Sequence, residues 1–537
     1  MKRIQELNLG FNDAENYKRR ENKKLFSEIF VKNKYLDELL KPSTYFLIGE
    51  KGTGKTAYSV YMSNNVYTDK ISGINFVSQI RYIRETDYQK FIALKTQKHL
   101  QLSDYTSIWK VIIMLLFAKS IKKEEIDVMP FNKGTKMKAV INAIDEYYAN
   151  AFSPEIISAL EFIENDSIAA QLMSKHINIE AEVKTQTNRQ ESRFQINLMY
   201  IQQQFEKALS DLKLKQSHLI FIDGLDIRPG LIPYSDYLEC VKGLANAIWS
   251  LNSDFFADIK DSKGRFRAIC LIRPDIFNSL NLQNSTNKVR DNSVFLDWRT
   301  TYPDHRESEL FKLTDRLLGA QQIDCDLSLG EIWDFYFPFS FDSRSPERDV
   351  EPAFVEFLRL TYSRPRDMVT LLQIMQRQMI DSRKGDADTF IKKIFLSSSF
   401  QSDYSEYLMS SIKDQLAFYY SETDYDLFLN FFSYLKGRID FDYDQYVRAY
   451  NEYQEYICKN LKDSIPEFVE NQDKFLQFLY DTNIICYIEE TNGLPLIRWC
   501  YRERSMSNIN PKVRINMSYR IHYGLAKALN VGNLKIK

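Results

Sequence analysis

Two short stretches of the chain carry residue types and spacings that can do chemistry. The first is Gly49-Glu50-Lys51-Gly52-Thr53-Gly54-Lys55-Thr56, a G-x-x-x-x-G-K-T pattern. Gly49, Gly52, Thr53 and Gly54 supply a backbone that bends until several N–H groups converge on one anion. The helix expected after them turns its positive end toward the same point. Lys55 then supplies a cation for the β- and γ-phosphates of a nucleotide, and the Thr56 hydroxyl a ligand for Mg²⁺. The second stretch is His218-Leu219-Ile220-Phe221-Ile222-Asp223-Gly224-Leu225-Asp226. Its apolar run ends in an acid, the pattern of a buried parallel strand with a carboxylate at the edge where open α/β sheets bind ligands.

This is the Walker B arrangement, in which Asp223 holds the Mg²⁺ shell. Asp226 is a candidate for polarising the attacking water, or it is structural. Arg273 follows a third apolar run, residues 266–272, where a γ-phosphate sensor would sit; the alternative is a surface arginine paired with Asp275. The expected site therefore has Asp223, Asp226 and Arg273 as catalytic residues. Gly49, Gly52, Thr53, Gly54, Lys55 and Thr56 bind ATP, and Thr56 and Asp223 bind Mg²⁺.

Elements must position these residues. Residues 45–48 read as a buried strand and 57–62 as the helix that leaves the loop. Residues 71–78 are a second strand. The two motifs stand about 165 residues apart, long for a minimal nucleotide core, which predicts a largely helical insertion at about 95–215. Within it, 107–116, 136–151, 154–163 and 200–214 read as helices, and the alternation in 177–183 and 194–199 as strands. Residues 25–31 and 35–40 form a helical lead-in, with basic residues before Leu25 that either face solvent or contact nucleic acid. Trp298 is read as a core residue and Arg316 as part of a helix. Arg364-Pro365-Arg366-Asp367 opens an amphipathic helix, 368–379, whose arginines either reach a nucleotide phosphate or form ordinary ion pairs.

Beyond residue 396 come segments rich in Tyr and Asp at 407–419, 424–434 and 443–461, then a helix at 473–480 and strands at 484–488 and 496–501. That is the outline of a winged-helix module. Arg498, Arg502, Arg504, Lys512, Arg514 and Arg520 have only Glu503 opposing them locally. Such a wing either binds phosphate backbones or meets the acidic segments upstream. The expected fold class is thus α/β: a P-loop NTPase core with its parallel sheet flanked by helices, a helical insertion, and a helical and winged-helix-like C-terminal region. The divisions fall at 1–43, 44–395 and 396–537.

The 537 residues exceed one ordinary domain, and 44% hydrophobic with 27% charged residues is the composition of a soluble globular protein. Lys and Arg number 71 against 72 Asp and Glu, which excludes a global charge bias toward nucleic acid or membrane. The 36 Phe and 33 Tyr point to core and interface packing. Cys240, Cys270, Cys325, Cys458, Cys486 and Cys500 form no C-x-x-C and read as reduced, mostly buried thiols of a cytoplasmic protein. No apolar signal core opens the chain, and the longest apolar run, 111–118, is too short to span a bilayer. None of the five histidines sits beside a candidate metal cluster, and no nuclease, protease or deaminase constellation is evident. An output through a protein partner or self-assembly is the expectation.

With both motifs in hand, the chain resembles a bacterial group of P-loop ATPases near the STAND and KAP groups, within the ASCE division that includes the AAA+ proteins. The matching stretches are Leu9-Gly10-Phe11-Asn12-Asp13-Ala14-Glu15, residues 48–57, 221–226, Arg273-Pro274-Asp275-Ile276-Phe277, 288–298 and 363–367. The resemblance implies an αβα nucleotide core followed by a helical and winged-helix region. It implies nucleotide and Mg²⁺ roles for Lys55, Thr56 and Asp223, and the sensor position for Arg273. It also points to a role in signalling or in defence against phage, where STAND-like relatives often act. One position departs: many ASCE enzymes place an acid directly after the Walker B Asp, and here that residue is Gly224. The missing acid at Gly224 implies slow ATPase turnover, which suits a conformational switch better than a motor. Two alternatives remain open. One is a DNA- or RNA-dependent ATPase using the basic wing. The other is a scaffold that binds nucleotide for stability without turnover.

Overall fold

A computed structural model describes residues 1–69, 72–84, 104–150, 188–226, 228, 232–282, 285–322, 328–342, 350–460, 466–491 and 494–532. Contacts group the chain into two compact units. The first comprises Met1–Asn33, Glu50–Gly54 and Phe295–Lys537; the second comprises Lys34–Gly49 and Lys55–Val294.

The second unit is built on a six-stranded sheet. Its strands are β1 (Phe46–Ile48), β2 (Tyr67–Thr68), β3 (Asn75–Tyr82), β4 (Ser217–Asp223), β5 (Phe266–Ile272) and β6 (Ser293–Phe295), in the order β2-β3-β4-β5-β1-β6. β3, β4, β5 and β1 run parallel, and β2 is antiparallel to β3, so the sheet is mixed and mostly parallel. Every residue of β1, β4 and β5 is buried. Strands covered on both faces need no polar side, which is why they read as continuous apolar runs. β5 lies between the other two: Ile48 is paired with Ile272 and Ile222 with Cys270.

Helix Lys55–Asn64 follows the loop after β1. The segment between β3 and β4 is helical where described, with Asp104–Ser120, Pro130–Asn150 and Asn188–Ser210. The Trp109 indole N–H donates to the Cys240 carbonyl at 3.2 Å, tying the first of these to helix Tyr234–Ser250. The strand expected at 194–199 is corrected: these residues lie inside helix Asn188–Ser210. Phe194, Ile196 and Leu198 alternate, but Leu198, Ile201, Phe205 and Leu209 also recur at helical spacing and are buried, and the longer period wins. The helix expected at 154–163 and the strand at 177–183 lie outside the described residues.

In the first unit, β7 (Ser340–Asp342) and β8 (Val350–Pro352) form a small antiparallel pair. Helices Pro365–Asp381, Ser398–Leu416, Glu422–Tyr434, Tyr443–Asn460 and Gln472–Asp481 follow. The expected boundary near residue 396 falls inside this unit. A four-stranded antiparallel sheet closes it: β9 (Asp440–Asp442), β10 (Ile485–Thr491), β11 (Leu494–Trp499) and β12 (Ser518–Ile521), ordered β11-β10-β12-β9. The hairpin of β10 and β11 matches its expectation. The plentiful aromatics find their use here, where Phe475 packs on Phe431, Tyr453 and Phe468 with ring centroids 4.8, 5.7 and 6.0 Å away. Cys240, Cys270, Cys486 and Cys500 are buried free thiols, whereas Cys458 is exposed and Cys325 lies outside the described residues. Among the described residues no helix is long and apolar enough to cross a membrane.

His522 is fully buried in the first unit, with its ring centroid 4.5 Å from that of Tyr362 and 4.9 Å from that of Trp499. The Gly524 N–H donates to its Nδ1 at 3.2 Å, which fixes a neutral ring. Burial lowers its pKa from 6.5 to about 3. The unfolded chain therefore takes up a proton near pH 6.5 that the native ring refuses until near pH 3. Stability is intact above that window and falls as pH drops through it, by up to roughly 1.4 kcal/mol per pH unit from this group. His522→Asn keeps an acceptor for Gly524 but removes the titration. Its urea midpoint is expected to depend less on pH than the wild-type midpoint between about pH 7 and pH 5. Equal pH slopes would assign the acid sensitivity elsewhere.

Candidate functional site

The second unit brings Gly49, Lys55 and Thr56 of the first motif to the second motif at the C-terminal ends of its parallel strands. Gly49 follows β1, and its N–H donates to the Ile272 carbonyl at the end of β5 at 3.2 Å. Lys55 and Thr56 open the next helix. The Thr56 hydroxyl donates to Asp223 Oδ2 at 2.6 Å, across 167 residues of sequence. Asp223 Oδ1 accepts from the Gly224 N–H at 2.8 Å. The Lys55 ammonium, buried at 5% exposure, donates to the Gly49 carbonyl at 2.8 Å and pairs with Asp226 Oδ2 at 3.2 Å. Asp226 Oδ1 is buried with no hydrogen-bond partner. Burial pushes the Asp223 carboxyl above its ordinary pKa, and the Thr56 hydroxyl offsets this most. Lys55, Thr56, Asp223 and Asp226 thus form one cluster of a cation, a hydroxyl and two carboxylates.

Arg273 lies just past β5 and is almost fully buried, at 1% exposure, so it is not a surface residue. Its Nε donates to Asp275 Oδ1 at 3.0 Å, and its Nη2 reaches Asp275 Oδ2. The pairing with Asp275 weighed from the sequence is present, at a buried strand end.

The position after Asp223 has a steric explanation. Gly224 has φ +97°, in the left-handed region, and a Cβ placed on it would lie 2.2 Å from the Ile83 carbonyl oxygen. Ile83 N–H in turn donates to the Asp223 carbonyl at 2.8 Å. No side chain fits at 224, so no acid can directly follow Asp223, and the next acid along the chain is Asp226.

Gly52, Thr53 and Gly54 belong to the first unit. Gly52 and Gly54 have φ of +90° and +96°, conformations that favour glycine. Residues 50–54 are held by residues far along the chain. The Trp298 indole N–H donates to the Thr53 carbonyl at 2.8 Å, Arg364 Nη1 to the Lys51 carbonyl at 3.0 Å, and the Arg366 backbone N–H to the Gly52 carbonyl at 3.3 Å. Lys51 pairs with Asp414 at 2.7 Å, and Glu50 with Arg504. Arg364 also makes a bidentate pair with the fully buried Asp367, at 2.9 and 2.8 Å, and Arg366 Nε donates to the Asn12 carbonyl at 3.2 Å. Arg316 donates to the Glu28 carbonyl at 2.6 Å. Trp298 is buried, as expected, but its bond to Thr53 was not read from the sequence. Arg504 appeared there only as one of a basic group, and Asp414 carried no local signal.

Four of the basic residues between 498 and 520 meet acids or an aromatic ring. Arg498 pairs with Glu489 at 2.9 Å and Glu503 at 3.1 Å. Arg514 pairs with Glu489 and Arg520 with Asp440, while Arg502 lies 4.9 Å over the Tyr302 ring. Comparison with protein-family models, with curated proteins and with solved structures finds no match.

Gly224→Ala adds a Cβ against the Ile83 carbonyl and places an L-residue at a left-handed φ. It is expected to lower unfolding free energy by about 2 kcal/mol or more in urea melts. An unchanged midpoint would show that the chain after Asp223 relaxes at no cost.

Proposed function

We propose that this chain binds ATP with Mg²⁺ and hydrolyses it slowly, as a nucleotide-dependent conformational switch. The observation that carries the reading is the contact of Thr56 with Asp223, which joins two motifs far apart in sequence into one acid–hydroxyl pair beside Lys55. The residues fit the cofactor. Gly52 and Gly54 adopt the positive-φ turns that aim backbone N–H groups at phosphate, and the buried Asp223 carboxyl is the kind of group a bound dication keeps ionised. Thr56 and Asp223 would hold Mg²⁺ directly and through its waters, while the Gly49–Thr56 backbone and Lys55 would hold the phosphates. ATP supplies the phosphoanhydride bond, and Mg²⁺ the charge that neutralises its developing oxyanion.

Lys55 must exchange the Gly49 carbonyl and Asp226 for phosphate oxygens. That exchange releases Asp226, whose second oxygen already lacks a partner, to orient and deprotonate water. One residue thereby pairs with Lys55 and, once released, serves as base, in place of the acid that Gly224 excludes. Arg273 takes the sensor role by leaving Asp275. Residues 50–54 are anchored by Trp298, Arg364 and Arg504, which supports a switch: a phosphate that draws on this loop draws on those anchors. The output passes to a protein partner or to self-assembly, as the resemblance to STAND-like ATPases suggests. We read residues 396–537 as a helical and winged-helix-like packing module, because its arginines face acids within the same unit.

The test is ATP binding and phosphate release with Mg²⁺ at low salt, with and without DNA or RNA. Lys55→Ala is expected to weaken ATP by about 10- to 100-fold, the loss of a charge-assisted contact. Unchanged affinity in a folded variant sinks the assignment. Asp226→Asn is expected to keep binding and to lower turnover about 100-fold or more. Wild-type turnover in that variant makes Asp226 structural. Binding without any phosphate release identifies a scaffold, and release stimulated by nucleic acid identifies a nucleic-acid-dependent ATPase.

A further inference from the structure

The parallel strands of the second unit have another end. Near the N-terminal ends of β3, β4 and β5, away from Asp223 and Gly49, lies a cavity of about 290 Å³. Its walls are mostly apolar and aromatic, with Leu40, Tyr45, Phe76, Leu219, Phe256 and Phe266 among them, and Arg267 also lines it.

Arg267 is the second residue of β5 and is buried, at 4% exposure. Its Nη2 donates to the Leu39 carbonyl at 2.8 Å, while Nη1 is buried with no hydrogen-bond partner. No carboxylate of the described residues pairs with it. Asp254, the acid that acts on neighbouring Tyr45, accepts instead from the Ser250 and Ser253 hydroxyls at 3.0 and 2.7 Å. Burial without an acid pulls the guanidinium pKa down to about 9. Asn252 is turned to the Ala268 backbone, its amide donating at 2.7 Å and accepting at 3.0 Å.

An uncompensated buried charge costs several kcal/mol, and a guanidinium is shaped to take a carboxylate. A cavity that combines such a group with aromatic walls has the makeup of a small-molecule site: apolar surface for the body and a few polar groups, here Arg267 with the exposed Arg265, for orientation. We propose that this cavity binds a small organic carboxylate, its anionic head on Arg267 and its apolar body against Tyr45, Phe76, Phe256 and Phe266. The volume admits a ligand on the order of ten heavy atoms. This site is independent of the nucleotide reading and stands or falls separately from it.

The experiment is thermal denaturation of the full chain with benzoate, phenylacetate or octanoate at roughly 10 mM, against benzamide, phenylacetamide and inorganic phosphate. At least one carboxylate is expected to raise Tm by about 2 °C, and its neutral amide to leave Tm unchanged. Arg267→Met is expected to lose the shift without losing the fold, since an apolar chain replaces an unpaired charge. Ala257→Trp fills the cavity at an exposed lining residue and leaves Arg267 in place, so it tests the site even where Arg267→Met does not fold. It too is expected to lose the shift. Equal shifts from carboxylate and amide, a shift surviving in Ala257→Trp, or no shift from any carboxylate would overturn the proposal. A shift from phosphate as large as that from octanoate would overturn the role given to the apolar walls.

Discussion

The hydrogen bond from the Thr56 hydroxyl to Asp223 is the constraint on which the candidate site depends. Its partners are 167 residues apart, at the ends of structure contributed by β1 and β4, with β5 between those strands. Neither group belongs in that buried place alone. A buried carboxylate without partners costs several kcal/mol, and here the Thr56 hydroxyl, the Gly224 N–H and the Lys55 charge offset the cost together. The parallel sheet is what makes the meeting possible. Because β1 and β4 finish on one side of the sheet, the polar residues that follow them reach one point.

A second constraint shapes the acids. The approach of Ile83 to Gly224 brings two backbones so close that only hydrogen fits between them. The usual reason for an acid to follow the strand-end Asp is reach toward the reacting water. This chain trades that reach for backbone pairing between β3 and β4 up to the last residue, Tyr82 with Asp223. Asp226 lies one turn later and is restrained by Lys55. The Lys55 ammonium is thereby held between Asp226 and the Gly49 carbonyl.

Much of this was legible in the sequence, for physical reasons that also explain what was not. Strands buried on both faces announce themselves as apolar runs, so β1, β4 and β5 and the residues at their ends could be placed from local pattern alone. Residues 194–199 could not, because six residues of alternating polarity satisfy a helix nearly as well, and the buried Leu198, Ile201, Phe205 and Leu209 decide the matter only when taken together. Strands β9 and β12, of three and four residues, are too short to carry a period, and they exist because β10 offers β12 an edge to pair with. The anchors of residues 50–54 were hardest. Trp298, Asp414 and Arg504 each satisfy a partner more than two hundred residues away, and a charge or an indole in sequence does not say whose carbonyl or carboxylate it will meet.

The division of the chain has a bearing on how the molecule is made. The second unit ends at Val294, while residues 50–54 belong to the first unit, together with their partners Arg364, Asp414 and Arg504. During synthesis the sheet has all its strands once β6 has emerged, and domains generally fold from the N-terminal side as they appear. The tip of the Gly49–Thr56 loop then waits for some two hundred further residues before its last anchor exists, roughly ten to forty seconds at ordinary elongation rates. A nascent chain in that interval has its strands and its Thr56–Asp223 partners but not the clasp around Lys51 and Glu50. The tip of the loop is thus the last part of the Gly49–Thr56 stretch to gain its partners, in the order in which the ribosome delivers them.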